Sequence, residues 1–538
     1  MSNRYSPSGI QGGIDEYKGE WTTTQISHLL KRTMFGSSPD DIAYFKTKTV
    51  SQAIDELLLP QPMPAPPLNF YDTADYKDPQ GIKFGETWVN AAYGDGTVNG
   101  RRRASYKYWW VLQMANQKRN IYEKMVLFWH NHFATEINDI DDARYVYKHN
   151  TVLRRNAMGN LKDFVKQVTL DPAMLRYLNG RLNTKNAPDE NYGRELQELF
   201  TVGKGAGSKY TEDDVKAAAR VLTGYNFNGT TITYTFNISN HDTTDKKFSA
   251  FYNNTVIKGG ATAAAGEKEL DDMLTMIFNA EEVSKFICRK LYQYFVFYDI
   301  TPSVEKEVIE PLAKIFRDNK YEIKPVLSAL LKSQHFFDAN VYGSVIKSPL
   351  DLILGTLREF NVAFPSSTEF LQEYYNLFGD ITRQGQIMQQ DIGDPPNVAG
   401  WPAYYQQPFF YEIWVNSDTY PKRNQFTDTF ITSGFTRNGK KIQLDVVAFA
   451  KKMANPNDPN KLIAQSLEIL YKIPVTSELI QQVKKDILLS GQSTDYYWTE
   501  LWDAMIAKPN DANTLNMVTT RLRSMYKYLL ALPEYQLG

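Results

Sequence analysis

A single cysteine, Cys288, stands in 538 residues, so no intrachain disulfide forms and no zinc-type cysteine pair exists. Its segment, Phe286-Ile-Cys-Arg-Lys-Leu291, reads as a helix with a small buried side chain at 288. No apolar run approaches the ~18 residues that a membrane helix needs. Met1 to Ile10 lack the apolar core of a signal peptide. The expectation is a cytoplasmic chain, or a periplasmic or cell-envelope one if it has been trimmed or is exported with another protein. Charge of one sign is missing too. The 60 Lys and Arg residues nearly balance the 61 Asp and Glu, for a net charge of −1, which argues against nucleic acid as a partner. Repeats and low-complexity tracts are absent, as are His-Glu-x-x-His and Gly-x-Ser-x-Gly. Gly203-Lys-Gly-Ala-Gly-Ser-Lys209 imitates a phosphate loop, but it follows a helix and lacks the Walker spacing. Histidine is scarce, with six in all.

Two of those six lie in one apolar segment, Glu123-Lys-Met-Val-Leu-Phe-Trp-His-Asn-His-Phe-Ala-Thr135. Positions 125–129 and 133 are apolar in every direction, so this is a buried central helix. Burying two imidazoles and an amide is costly unless each finds a partner. The segment therefore predicts either a structural hydrogen-bonded pair or a metal or acid–base site. His130 and His132 differ by ~200° around a helix. Either the helix ends at Trp129, or one histidine alone serves the site, and His132 is then the more enclosed candidate. The letters His-Asn-His do not make a nuclease motif, which needs its own ββα metal fold.

Elsewhere the pattern is helical. Ser38-Pro39, Asp171-Pro172, Thr301-Pro302 and Ser348-Pro349 each pair an N-cap with a proline at the first helical position. Thr211 with Asp214 resembles a capping box. Thr476 or Ser477 caps a helix that ends near Gly491. Helices are expected over 22–34, 39–58, 104–134, 140–158, 189–202, 281–297, 349–362, 367–378 and 513–531, among others. Thr230 to Ile238 alternates like a strand, with Phe251 to Ile257 as its hairpin partner. Segments 60–100 and 380–442 read as irregular, and Arg101-Arg102-Arg103 as a solvated loop. The fold class is mainly α: a multi-helical body with a small β-hairpin insertion and long irregular loops. Its parts are a tail (1–20), a helical core (21–225), the β-insertion (226–262), a second helical part (263–405) and a C-terminal helical part (406–538).

Several segments together resemble the DUF1800 family of bacterial proteins, named for its unknown function. They are His28-Leu-Leu-Lys-Arg-Thr-Met-Phe-Gly-Ser-Ser-Pro39, Phe128 to Ala134, Asp171-Pro-Ala-Met-Leu, and Asn191-Tyr-Gly-Arg-Glu-Leu-Gln-Glu-Leu-Phe-Thr-Val-Gly203. Further on come Tyr210 to Val215, Leu222-Thr-Gly224, His241-Asp242, Phe286 to Leu291, Lys347-Ser-Pro349 and Pro395-Pro-Asn-Val-Ala-Gly-Trp-Pro402. The resemblance implies a DUF1501 protein as partner and no proven activity.

Glu195 flanks the apolar stripe Tyr192, Leu196, Leu199, Phe200 and reads as a half-buried acid, while Glu198 falls within reach of Arg194. His241-Asp242 sits on a loop, as a third ligand, a general base or a surface turn. One expectation joins these residues. His132, Glu195, His241 and Asp242 would form a catalytic cluster. His130, His132, Glu195 and His241 would hold one divalent metal, with the Pro395–Pro402 loop as a roof and Trp401, Arg289 and Lys290 as lining. The alternative is a non-enzymatic helical scaffold whose abundant aromatics bind a partner protein.

Overall fold

Caps and prolines set the helix starts much as the sequence demands. Thr211 Oγ1 accepts from the Asp214 N–H while Asp214 caps the Thr211 N–H in return. Thr301 and Ser348 cap helices that begin with proline, and Thr476 caps the helix that starts at Ser477. Asp171 departs from the pattern: its side chain makes no cap and reaches the His149 ring instead, 2.6 Å away.

The computed structural model describes residues 12–538. It is mainly helical. The helices that build the site or frame it are α1 (Thr23–Thr33), α2 (Gly96–Asn116), α3 (Tyr122–His132), α4 (Ala143–Asn156), α5 (Glu212–Val221), α6 (Ala263–Phe278), α7 (Glu281–Phe295), α8 (Pro349–Glu359), α9 (Leu371–Ile387), α10 (Thr419–Thr432) and α11 (Ala512–Ala531). α3 packs on α4, α9 on α2, α8 on α9, and α10 on α11. Buried apolar side chains form one continuous cluster from Ile26 to Tyr535. No helix among the described residues is long and apolar enough to cross a membrane.

Strands are few. β1 (Tyr225–Asn228) pairs antiparallel with β2 (Thr233–Phe236), β3 (Lys246–Lys247) with β4 (Val256–Ile257), and β5 (Phe435–Arg437) with β6 (Lys440–Ile442). The expected partnership of 230–238 with 251–257 is thus replaced by a tighter hairpin. The turn at Gly229-Thr230 brings 225–228 back onto 233–236 at far smaller loop-closure cost.

Other expectations change as well, among them the helix over 39–58, which is two, Pro39–Phe45 and Val50–Leu57. The single helix expected over 104–134 is two, α2 and α3, broken at 117–121. Arg101-Arg102-Arg103 lies inside α2, not in a loop. Arg102 is buried, with Nη1 on Ala92 O at 2.6 Å and Nη2 on Asp78 at 3.2 Å. The segment 380–442, expected to be irregular, contains the end of α9, all of α10 and the β5–β6 hairpin. Pro421 concealed α10, but in the first turn a proline sacrifices no helical hydrogen bond.

Candidate functional site

The structure distributes the expected cluster among separate networks. α3 runs to His132 with Phe133 as its C-cap, so the two histidines point apart. Both are buried, His130 slightly more than His132, which reverses the expected order. His130 lies edge-on to Trp110, with ring centroids 5.0 Å apart, and beside Trp401 at 5.7 Å. Its Nε2 has no hydrogen-bond partner. His132 Nε2 is 3.1 Å from Phe200 O. A carbonyl can only accept, so this nitrogen carries the proton. Burial above all drives both rings down to about 3.

Glu195 is half-buried, and burial followed by the Glu198 charge raises its carboxyl. Glu198 pairs with Lys204, and Arg194 pairs with Glu190 and Glu212. His241 is fully enclosed in the insertion. Its Nδ1 is 2.9 Å from Thr223 O and its Nε2 3.1 Å from Glu269 Oε1, and Lys246 closes on the same glutamate. Burial raises the Asp242 carboxyl, but hydrogen bonds from Arg220 and Thr244 outweigh it and hold the group well below its ordinary value. Among the described residues no three His, Cys, Asp or Glu side chains approach closely enough to hold a metal ion. His130, His132, His241 and Asp242 face different neighbours, Trp110, the Phe200 carbonyl, Glu269 and Arg220 respectively. His132, His241 and Asp242 each found partners apart from one another, so burial did not require convergence.

What the family-like segments do bring together is a cavity. It offers about 80 Å³ to the centres of water-sized molecules, room for several waters or one small acid group. α1 and the turn after it contribute Lys31, Arg32 and Gly36. α3 gives Lys124, Phe128 and Asn131, and α7 gives Lys290, Gln293 and Tyr294. Lys347, Ser348, Asp351 and Glu359 come from the start and length of α8, and Tyr404, Phe410, Tyr411 and Trp414 cover the top. Gly36 adopts φ +89°, and a Cβ there would lie 2.7 Å from the Gly355 Cα. This backbone contact sets the end of α1 directly against α8. Gln293, Tyr298 and Phe410 also line a surface cleft with Arg289 and Glu305.

The lining is unbalanced in charge. Its side chains include five cations (Lys31, Arg32, Lys124, Lys290, Lys347) and two acids, Asp351 and Glu359, and Gly538 also lines it. Lys31 takes Glu359 at 2.6 Å and also donates to Leu470 O at 2.9 Å. Lys124 takes Asp351. Three cations remain without a carboxylate of their own. Arg32 reaches Val341 O at 3.2 Å and Ser344 Oγ at 3.3 Å, while its buried Nε has no partner. Lys347 Nζ makes no hydrogen bond and lies 3.7 Å from the Tyr535 ring centre. Lys290 makes no ion pair and has its Nζ 5.6 Å from the Phe286 ring centre. Burial, then Lys31, pushes the Lys347 ammonium down to about 7. Burial alone takes Lys290 to about 8 and is the main cause that brings Arg32 to about 10.

The sequence reading missed all of these residues except Lys290. Their signal was present: Lys31, Arg32 and Lys124 are cations inside otherwise apolar helical stretches. Arg289, expected beside the site, is held by Glu282 and Glu305 at 2.5 and 2.6 Å. Trp401 is buried beside His130 and is not part of the lining.

Fold and site together define a helical protein with a partly enclosed, cation-rich cavity. The chain belongs to the family described as "Protein of unknown function (DUF1800)", whose model matches residues 28–537. No curated protein and no solved structure matches it.

Proposed function

We propose that the protein binds a small anionic molecule in this cavity. One observation carries the reading: Arg32 Nε and Lys347 Nζ are buried in residues that line this space, without a hydrogen-bond partner or an ion pair among the described residues. Buried charges are ordinarily paired, and leaving one unpaired costs several kcal/mol. A carboxylate or phosphate supplies the missing charge and accepts from the free Arg32 Nε–H. The aromatic cover of Tyr404, Tyr411 and Trp414 excludes water and strengthens that attraction. Entry runs between Gln293, Tyr298 and Phe410, which line both cavity and cleft.

Isothermal titration of the full chain with phosphate and with mono- and dicarboxylates tests this. The expected result is saturable, one-to-one binding of at least one anion, weakened by salt. Losing one charged hydrogen bond is worth about 1.5–3 kcal/mol, so Arg32→Met should weaken binding at least tenfold. No saturable binding across the panel, or binding indifferent to Arg32→Met, would contradict the reading.

A further inference from the structure

We propose that the anion is one end of a sugar acid, a short glycan carrying a single carboxylate, whose hydroxylated body lies along the surface cleft outside the cavity; the inference rests on the anion-binding reading above. Gln293, Tyr298 and Phe410 line both spaces, so a ligand seated in the cavity leaves it past these three residues. The cavity offers about 80 Å³ to the centres of water-sized molecules, against about 600 Å³ in the cleft. The inner space takes an acid group, and the outer one takes a body several times larger.

The chemistry of the cleft selects the class of that body. Arg289 and Glu305 pair within it, Nη2 to Oε1 at 2.6 Å and Nε to Oε2 at 2.9 Å, and Asp299 and Gln407 also line it. An alkyl tail laid here would strip water from these groups without replacing it, which disfavours a fatty acid. Two carboxylates to one guanidinium repel a second anionic group, which disfavours a polyanion. An extended peptide is commonly held by a sheet edge, and no strand among the described residues contributes to this lining. Hydroxyl groups suit it better. Each donates to a carboxylate or amide oxygen and accepts from an amide or guanidinium N–H.

The passage between the two spaces is aromatic. Tyr298 packs on Phe410 with ring centroids 5.0 Å apart and on Tyr411 at 5.1 Å. Phe410 is held at φ +44°, a conformation that bulky residues rarely adopt. Its neighbour Phe409 is 56% exposed. Aromatic rings beside polar groups match a pyranose, whose C–H face packs on a ring while its hydroxyls meet the polar side chains.

Isothermal titration of the full chain with gluconate, lactobionate, lactose, octanoate, trialanine and phosphate tests this. Lactobionate is a disaccharide with one carboxylate. It is expected to bind roughly tenfold or more tightly than gluconate, which lacks the second sugar, and than lactose, which lacks the acid. Gln407→Ala and Asp299→Asn should each bring its affinity towards that of gluconate. Gln407 is exposed and Asp299 half-exposed, so both variants are expected to fold, with circular dichroism as the check. Lactobionate binding no tighter than gluconate, matched by octanoate or trialanine, or indifferent to both substitutions overturns the sugar-acid assignment; saturable phosphate binding in that case leaves the cavity reading standing. No binding of phosphate or of any acid overturns the cavity reading and this inference with it.

Discussion

The backbone N–H of Trp401 donates to the Asn131 Oδ1 over 2.8 Å. This bond ties the Pro395–Pro402 loop to the His130-Asn131-His132 helix. The asparagine makes the hydrogen bond between these two segments, with the His130 ring packed beside Trp401, and it also lines the cavity. Gly400 makes the approach feasible. It sits at φ +90°, and a Cβ there would lie 2.3 Å from Asn131 Oδ1 and 2.5 Å from the Asn131 carbonyl oxygen.

Gly400→Ala should therefore destabilise the protein by more than about 1–3 kcal/mol, the cost of strained backbone alone. Asn131→Leu should cost about 1–3 kcal/mol by orphaning the Trp401 N–H. Urea unfolding monitored by tryptophan fluorescence measures both. A change in midpoint too small to resolve for Gly400→Ala would mean that the loop does not rest on α3.

Lys347→Met should move stability and binding in opposite directions. Removing an enclosed amine without a partner should stabilise the fold, on the order of 1–4 kcal/mol, and raise Tm. The same change removes one of the three unanswered cations and should weaken anion binding. Thermal unfolding and titration on one preparation decide the matter. Lower Tm with unchanged binding would assign Lys347 a purely structural role.

Acid should weaken the fold through α3. In the folded chain His130 and His132 stay neutral down to about 3, whereas in the unfolded chain histidine takes up a proton near ~6.5. Between those values the unfolded state binds more protons, so stability is full above ~6.5 and falls as pH drops towards 3. Each histidine contributes about 1.4 kcal/mol per pH unit. His132→Asn should show a shallower loss of unfolding free energy between pH 6 and 4 than the parent. Equal slopes would place His132 in water.

Stripping divalent metal should leave thermal unfolding unchanged, since His130, His132, Glu195 and His241 belong to separate networks. EDTA treatment followed by calorimetry checks this. A fall in Tm reversed by added zinc would contradict it.

The helical class, most caps and the buried nature of the α3 segment were legible because they are local: a cap and its proline lie within four residues. The tight β1–β2 hairpin was missed because 225–228, Tyr-Asn-Phe-Asn, alternates over only four residues and two of them are asparagine, which is depleted in strands. The supposed centre failed for a different reason. Burial predicts that His130, His132 and His241 have partners, but not which ones, and a backbone carbonyl such as Phe200 O leaves no mark in a sequence. The cavity depends on contacts such as Lys31–Glu359, more than three hundred residues apart, and on a Gly36–Gly355 approach that spacing along the chain does not reveal. The cations themselves were visible as charges in apolar helices.

The central claim is that Arg32 of α1 and Lys347, just ahead of α8, form a seat for an anion. Anomalous diffraction from crystals soaked in bromide tests it most directly. The expected result is an ordered bromide inside the cavity, beside Arg32 or Lys347, that phosphate or a carboxylic acid displaces. Bromide found at surface lysines alone, with the cavity unoccupied, would contradict it.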